Sequence, residues 1–337
     1  MTSEIRQNLA TRQWVIIATS RAKRPEDFQP ASTAERELSG RDESCPFCPG
    51  NEHMLPGITL EVPGPGPEGW QTRVVPNKYP ALTHEDDPQR YSRGIYTAMP
   101  GYGQHEVIVE TPRHDRDIPQ MSVEEVGILV ETYHQRYVDA MNDDHHMMTI
   151  IFRNHGPMAG PSLVHPHSQL VATGIVPRAI RWREEEANRY FDDRGRCVFC
   201  DILAFEIQDR RRVILENDTF LAFVPFAAEV PFEVWVVPKR HQADFGDISD
   251  EEKAGLASAL REVLAGLHTK LRDPDYNYVV NSSSRHQAGE PHLHWYLQIR
   301  PRLTIPAGFE IGSGMAINPS IPEEDAAFLK ADGGATE

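Results

Sequence analysis

Hydrophobic positions along this chain follow two spacings, one of period two and one near 3.6 residues. Runs rich in β-branched or aromatic residues at 105–110, 148–152, 232–237 and 278–280 predict strands. Val126, Leu129, Tyr133 and Tyr137 recur at helical spacing, on a helix that opens at Ser122-Val-Glu-Glu125 and runs to about residue 141. A second helix opens at Ser249-Asp-Glu-Glu252 and runs to about residue 271. Both starts are capping boxes, in which Ser accepts from a backbone N–H three residues on and Glu reaches back. The charged segment at about 178–195 predicts a connecting helix, and the polar, Gly/Tyr/Pro-bearing run 83–104 reads as a loop.

These elements repeat. A shift of 127 residues lays the strand at 105–110 on the one at 232–237, Ser122 on Ser249, and Asn154 on Asn281. The fold class expected is therefore α+β, with two tandem, homologous halves at 1–177 and 178–337. Each half holds an antiparallel sheet and one long helix.

Composition narrows the function classes. The chain has 337 residues, 39% hydrophobic and 25% charged, which are globular values. No apolar run approaches the ~20 residues of a membrane span, and the N-terminus lacks a signal-peptide core. A cytoplasmic location is expected. The net charge of −16 argues against nucleic acid and anionic membranes as partners. All four cysteines sit in Cys-x-x-Cys pairs, which in a reducing compartment favours metal or redox roles over structural disulfides.

The chemistry lies in a duplicated Cys/His set. Cys45/Cys48 are followed by His114 and His165-Pro166-His167; Cys197/Cys200 by His241 and His292-Leu293-His294. From His114 to His165 is 51 residues, and from His241 to His292 is again 51. Zinc favours such four-ligand sets. The expected structural sites are Cys45, Cys48, His114 and His165, and Cys197, Cys200, His241 and His292. Iron or partial occupancy is the alternative at the second.

Each half keeps one uncommitted histidine. On an extended segment His167 shares a face with the anchored His165, and Pro166 fixes the backbone between them. A neutral imidazole so placed is a nucleophile toward phosphorus. Gln169 can donate an amide hydrogen bond to a phosphoryl oxygen. The turn from Asn154 through Gly156 and Gly160 to Ser162 offers N–H groups and a hydroxyl to phosphate.

The run Phe152-Arg-Asn154-His-Gly156-x3-Gly160-x4-His165-Pro166-His167-Ser168-Gln169 closely resembles the active-site signature of the galactose-1-phosphate uridylyltransferases, a family of the histidine-triad superfamily with two such domains per chain. The resemblance spans about residues 14–318. It implies that His167 carries the nucleotidyl group, with Gln169 and Ser162 at the phosphates. Ser20-Arg21-Ala22-Lys23-Arg24-Pro25 resembles the family's N-terminal arginine motif, which implies sugar-phosphate contacts for Arg21 and Arg24. Residues 76–82 resemble the nucleotide-pocket segment, with Asn77 the matching polar residue. The resemblance also implies a homodimer acting on a nucleotide-sugar and a sugar 1-phosphate, UMP being the group moved.

Three departures touch substrate choice. Ser168 replaces the usual glycine, Lys78 an acidic residue, and Ser313-Gly314 a Tyr-Glu pair. The tail Gly308-Phe-Glu-Ile-Gly-Ser-Gly314 and the complete second Cys/His set resemble a branch that includes ADP-glucose phosphorylases. An ADP-sugar phosphorylase or adenylyltransferase, or a nucleotide-sugar hydrolase, would use the same histidine; a non-enzymatic zinc-scaffold module is the other class. His292-Leu293-His294 reads as a degenerate copy: Leu293 replaces proline, Tyr296 stands at the place of Gln169, and the glycine turn is lost. His294 is then an additional ligand or a wall of the sugar pocket.

Overall fold

Alternating side chains on strands from both halves require one face covered by helices and one left for chemistry. The computed structural model describes residues 3–19, 28, 39–66, 68–85 and 88–330. In chain order the first half contributes β1 (Glu4–Gln7), β2 (Trp14–Ile17), β3 (Leu60–Pro63), β4 (Trp70–Pro76), β5 (Tyr91–Arg93), β6 (Tyr96–Ala98) and β7 (Gly103–Val109). Helix α1 (Val123–Met141), β8 (Met148–His155) and β9 (His167–Thr173) follow. The link is α2 (Arg178–Arg194). The second half contains α3 (Val198–Asp209), β10 (Val213–Glu216), β11 (Phe220–Phe223), β12 (Val234–Pro238), α4 (Asp250–Leu271), β13 (Tyr276–Asn281) and β14 (Tyr296–Pro301). The chain closes with α5 (Gly308–Ser313), β15 (Ala316–Asn318) and α6 (Pro322–Leu329).

The α+β class is as expected, but the halves do not keep separate sheets. Ten strands run in the order β10-β11-β12-β14-β13-β8-β9-β7-β4-β3, all antiparallel. The join is β8 against β13, with Asn154 opposite Asn277. Five strands lie on each side, in mirrored order. A small sheet ties the ends of the chain together, β2 pairing with β1 and, in parallel, with β15.

Both long helices start at the capping boxes read from sequence, Ser122 accepting from Glu125 N–H and Ser249 from Glu252 N–H. They pack on one face of the sheet. Val126, Leu129, Tyr133 and Tyr137 of α1 and Leu256, Leu260, Val263 and Leu267 of α4 share a buried core with Ile108, Ile151, Leu170, Tyr278, Leu297 and Ile299. Each such side chain contributes about 1.5–3 kcal/mol by leaving water. Residues 83–104 are not all loop, since β5 and β6 form a hairpin within them. No helix among the described residues is long and apolar enough to cross a membrane.

Candidate active site and metal centres

Strand register decides which side chains face the chemistry. On β9, Ser168, Leu170 and Ala172 are buried on the helix side; His167 and Gln169 alternate to the opposite face. Phe152 of β8 pairs with Gln169, and one step beyond the last pair on that strand Asn154 comes level with His167. Val107 and Val109 of β7 pair with Gln169 and His167, which places His105 on the same face.

His167 is 7% exposed. Its Nδ1 lies 2.8 Å from the His165 carbonyl oxygen, so Nδ1–H donates and Nε2 keeps its lone pair. Burial lowers its pKa, which holds the ring neutral. The Phe47 ring, 5.5 Å away, packs beside it.

Gln169 is positioned by a residue that sequence reasoning missed. Ala81 N–H donates to His105 Nδ1 at 3.1 Å, which puts the proton of the neutral ring on Nε2. Nε2–H then donates to Gln169 Oε1 at 2.9 Å and leaves the Gln169 NH2 to donate elsewhere. In the same segment Asn77 Oδ1 accepts from Tyr79 N–H at 2.8 Å. His105 thus joins the two segments expected to hold phosphate and nucleotide. Nothing in its strand-like run marked it.

The glycine turn is braced from the other half of the chain. Gly156 has φ +77°, and a Cβ there would lie 1.9 Å from Asp275 Oδ1. Met158 N–H donates to Asp275 Oδ2 at 2.5 Å. Asn277 Nδ2 donates to Asn154 Oδ1 at 2.7 Å and to the Ala159 carbonyl at 3.1 Å. Gly160 adopts a left-handed conformation, φ +86°, and Ser162 beyond it is exposed. Arg21 and Arg24 lie outside the described residues.

Beneath the strand, Ser168 donates to Glu110 and contacts the Tyr133 hydroxyl, which bonds to that of Tyr278 at 2.6 Å. Glu110 accepts from Arg153 Nε at 2.9 Å, and Arg153 also binds Asp117 and the Tyr276 hydroxyl. Arg153 and Ser168 are each at most 2% exposed. The serine that replaces the family's glycine therefore answers to this buried network and not to the substrate face.

The first Cys/His group forms as expected. Cys45, Cys48, His114 and His165 are all buried, with ligand atoms within 4.8 Å of one another. Cys48 Sγ stands 3.4 Å from His114 Nδ1 and 3.5 Å from His165 Nδ1, and Cys45 Sγ 3.7 Å from His165 Nδ1. Tetrahedral zinc would set sulfur and nitrogen roughly 3.5 Å apart. His165 Nε2–H donates to the Thr111 carbonyl at 2.8 Å, which leaves Nδ1 as the ligand atom. Burial pushes the Cys45 thiol up to about 11 and the His165 ring down to about 4, an environment in which a cation would convert thiol to thiolate. The donor set fits a structural zinc.

In the second group the expected ligand set needs correction. Cys197, Cys200 and His241 gather with His294, not His292. Cys200 Sγ lies 3.3 Å from His241 Nδ1 and 3.7 Å from His294 Nδ1. His294 Nε2–H donates to the Pro238 carbonyl, as His165 does to Thr111. Phe199 packs on His294 as Phe47 does on His165. His292 is instead 3.9 Å from Glu290, and its Nε2 has no partner among the described residues. The cause is a loop two residues longer: Asn154 to His165 spans 11 residues, Asn281 to His294 spans 13. Tyr296 consequently occupies the place of His167, and Gln298 that of Gln169.

Comparison with known proteins places the chain in a family. Residues 1–177 match the profile of the galactose-1-phosphate uridyl transferase N-terminal domain, and residues 183–315 that of its C-terminal domain. An ADP-glucose phosphorylase of Arabidopsis thaliana is 34% identical over 97% of this chain and 92% of its own length. A galactose-1-phosphate uridylyltransferase of Thermotoga maritima is 30% identical over 97% and 98%. The crystal structure of an Arabidopsis thaliana ADP-glucose phosphorylase with bound ADP-glucose superposes with TM-score 0.83 at 33% identity, covering 98% of this chain and 99% of that one. With both domain profiles matched in order and His167 seated on its zinc-type scaffold, the chain belongs to the galactose-1-phosphate uridyl transferase family.

Proposed function

We propose that this enzyme moves a nucleoside monophosphate, UMP in the leading case, from a nucleotide-sugar to a sugar 1-phosphate through a covalent nucleotidyl-His167. The observation that carries this reading is the hydrogen bond from His167 Nδ1–H to the His165 carbonyl, which presents Nε2 as a fixed lone pair. Nε2 attacks the α-phosphorus; an N–P bond forms, the P–O bond to the β-phosphate breaks, and a sugar 1-phosphate leaves. A phosphate oxygen of the second sugar 1-phosphate then attacks the same phosphorus and expels His167. The Gln169 NH2, aimed by His105, stabilises charge on the phosphoryl oxygens in both steps. The turn at Asn154, Gly160 and Ser162 supports the departing phosphate, with Arg21, Arg24 and Asn77 as further substrate contacts.

Residues 1–177 form the catalytic domain in this reading, and 178–337 the degenerate one. Zinc held by Cys45, Cys48, His114 and His165 would fix the backbone carbonyl that orients His167. Cys197, Cys200, His241 and His294 would hold a second ion. A cytoplasmic homodimer is part of the proposal, supported by family membership.

Incubation with UDP-glucose labelled in the α-phosphate should give an acid-labile protein adduct that His167→Gly eliminates. An adduct that survives that substitution would overturn the assignment. A second reading, transfer of AMP from ADP-glucose with inorganic phosphate as acceptor, is favoured by the 34% identity to an ADP-glucose phosphorylase. Offering UDP- and ADP-glucose with phosphate or galactose 1-phosphate separates the two.

A further inference from the structure

A third cluster of ligand-type side chains lies apart from both Cys/His groups. His84, Asp143 and His146 bring one ligand atom each to within 4.8 Å of one another. His84 follows the segment that carries Asn77, and its backbone is set by Thr83, whose N–H donates to the Gly101 carbonyl while its own carbonyl accepts from Gly103 N–H. Asp143 and His146 stand in the turn after α1. That turn is gripped by Arg285 of the second half, whose guanidinium donates to the carbonyls of Met141, Asp143 and His146. The cluster is thus built on braced backbone.

One observation singles it out from an ordinary polar surface. His146 is fully buried. Its Nδ1–H donates to the Ala140 carbonyl at 2.7 Å, so the lone pair is on Nε2. That Nε2 has no hydrogen-bond partner among the described residues. A buried nitrogen lone pair without a partner is destabilising, and this one lies 3.8 Å from Asp143 Oδ2. His84 Nδ1 lies 3.8 Å from the same oxygen. These spans are too long for hydrogen bonds. Ligand atoms about 2.1 Å from one tetrahedral ion stand roughly 3.4 Å apart, so each imidazole nitrogen would come a few tenths of an ångström nearer the carboxylate, and the two nitrogens would close in from a separation within 4.8 Å.

We propose that His84, Asp143 and His146 form a third metal site that binds a divalent first-row transition ion of the zinc class. Two imidazoles and one carboxylate favour such ions over magnesium or calcium, which take oxygen sets. The Ala140 carbonyl orients His146 as an outer-shell partner does in known sites. Tyr102 O–H donates to Asp143 Oδ2 at 2.6 Å, and His145 meets Asp143 Oδ1 at 3.1 Å, so the carboxylate is held from both sides. His84 is half-exposed and leaves room for water on the ion. Occupancy would clamp the segment after Asn77 to the end of α1.

The test is calorimetric and spectroscopic titration with cobalt(II) of untagged protein given two equivalents of zinc, enough for the two cysteine groups alone. Wild type should take up one further equivalent, with weak visible bands and none of the intense near-ultraviolet sulfur-to-cobalt absorption that exchange into a cysteine group would give. His146→Asn should weaken that uptake about tenfold or more. His84→Gln, on a half-exposed side chain that the core does not need, should do the same with unchanged thermal stability in metal-free buffer. No uptake by wild type, uptake with sulfur-to-cobalt bands only, or equal affinity in wild type and His84→Gln would each overturn the proposal.

Discussion

Place for place, the two halves of the sheet differ most where β9 and β14 begin. The first half sets His167 there, beside the glycine turn that Asp275 and Asn277 brace. In the second, Tyr296 fills the position and is itself packed, 4.7 Å from Trp235 and 5.0 Å from Phe199, with the Arg183 guanidinium over its ring. The turn that once matched is closed as well: Ser282 and Ser283 bond to Asp244, and Ser284 N–H to Glu184. Both halves hold a Cys2His2 group at a strand start. In the proposed reading that group is separable from catalysis, and the residue two positions later decides whether chemistry follows.

The largest expected effect breaks the comparison at that position. His167→Gly should lower nucleotidyl transfer by about 10⁴-fold or more, measured as steady-state turnover. Next comes the alignment of Gln169. His105→Ala should lower kcat/KM by about 10- to 100-fold, and in combination with Gln169→Ala should add little, because one substitution already removes what the other supports. Full additivity in that double-mutant cycle would refute the coupling.

The register correction supplies a third test. His294→Ala should remove one metal ion per chain by elemental analysis and lower the melting temperature, whereas His292→Ala should retain both ions. The reverse pattern would restore the equal 51-residue spacing.

A smaller effect concerns the join between halves. His155 binds Asp117 through Nδ1 at 2.7 Å and Asp273 of the second half through Nε2 at 2.8 Å. Burial opposes its charge, but these carboxylates prevail and raise its pKa to about 9. The unfolded value is near 6.5, so the stabilisation is complete below pH 6.5 and is lost as pH rises through 9. Its size is about 3 kcal/mol. Chemical denaturation across that window should show the loss, and Asp273→Asn should flatten it. Smallest of all, Tyr296→Phe should leave turnover within about twofold, since the position no longer meets substrate.

Much of this was legible in sequence. The capping boxes at Ser122 and Ser249, the helical spacing of Val126 to Tyr137, and the connecting helix all act through local chemistry, which sequence displays directly. The grouping of Cys45, Cys48, His114 and His165 was legible because side chains of metal-ligand type are few and distinct. His294 was misread because His-x-His looks identical in either register, while a two-residue change in a loop leaves no local mark. His105, Asp275 and Asn277 escaped for a different reason: their roles come from strand pairing between distant segments, and ordinary polar residues carry no signature of that.

The pairing of β8 with β13 has one more consequence. It turns the chain into an intramolecular pair of unlike halves, in which the half that carries Tyr296 at the place of His167 is the other's permanent neighbour. Asp275 and Asn277 hold the turn around Asn154 from across that seam. Substitutions along β13 should behave as active-site mutations, although none of its side chains needs to touch the substrate.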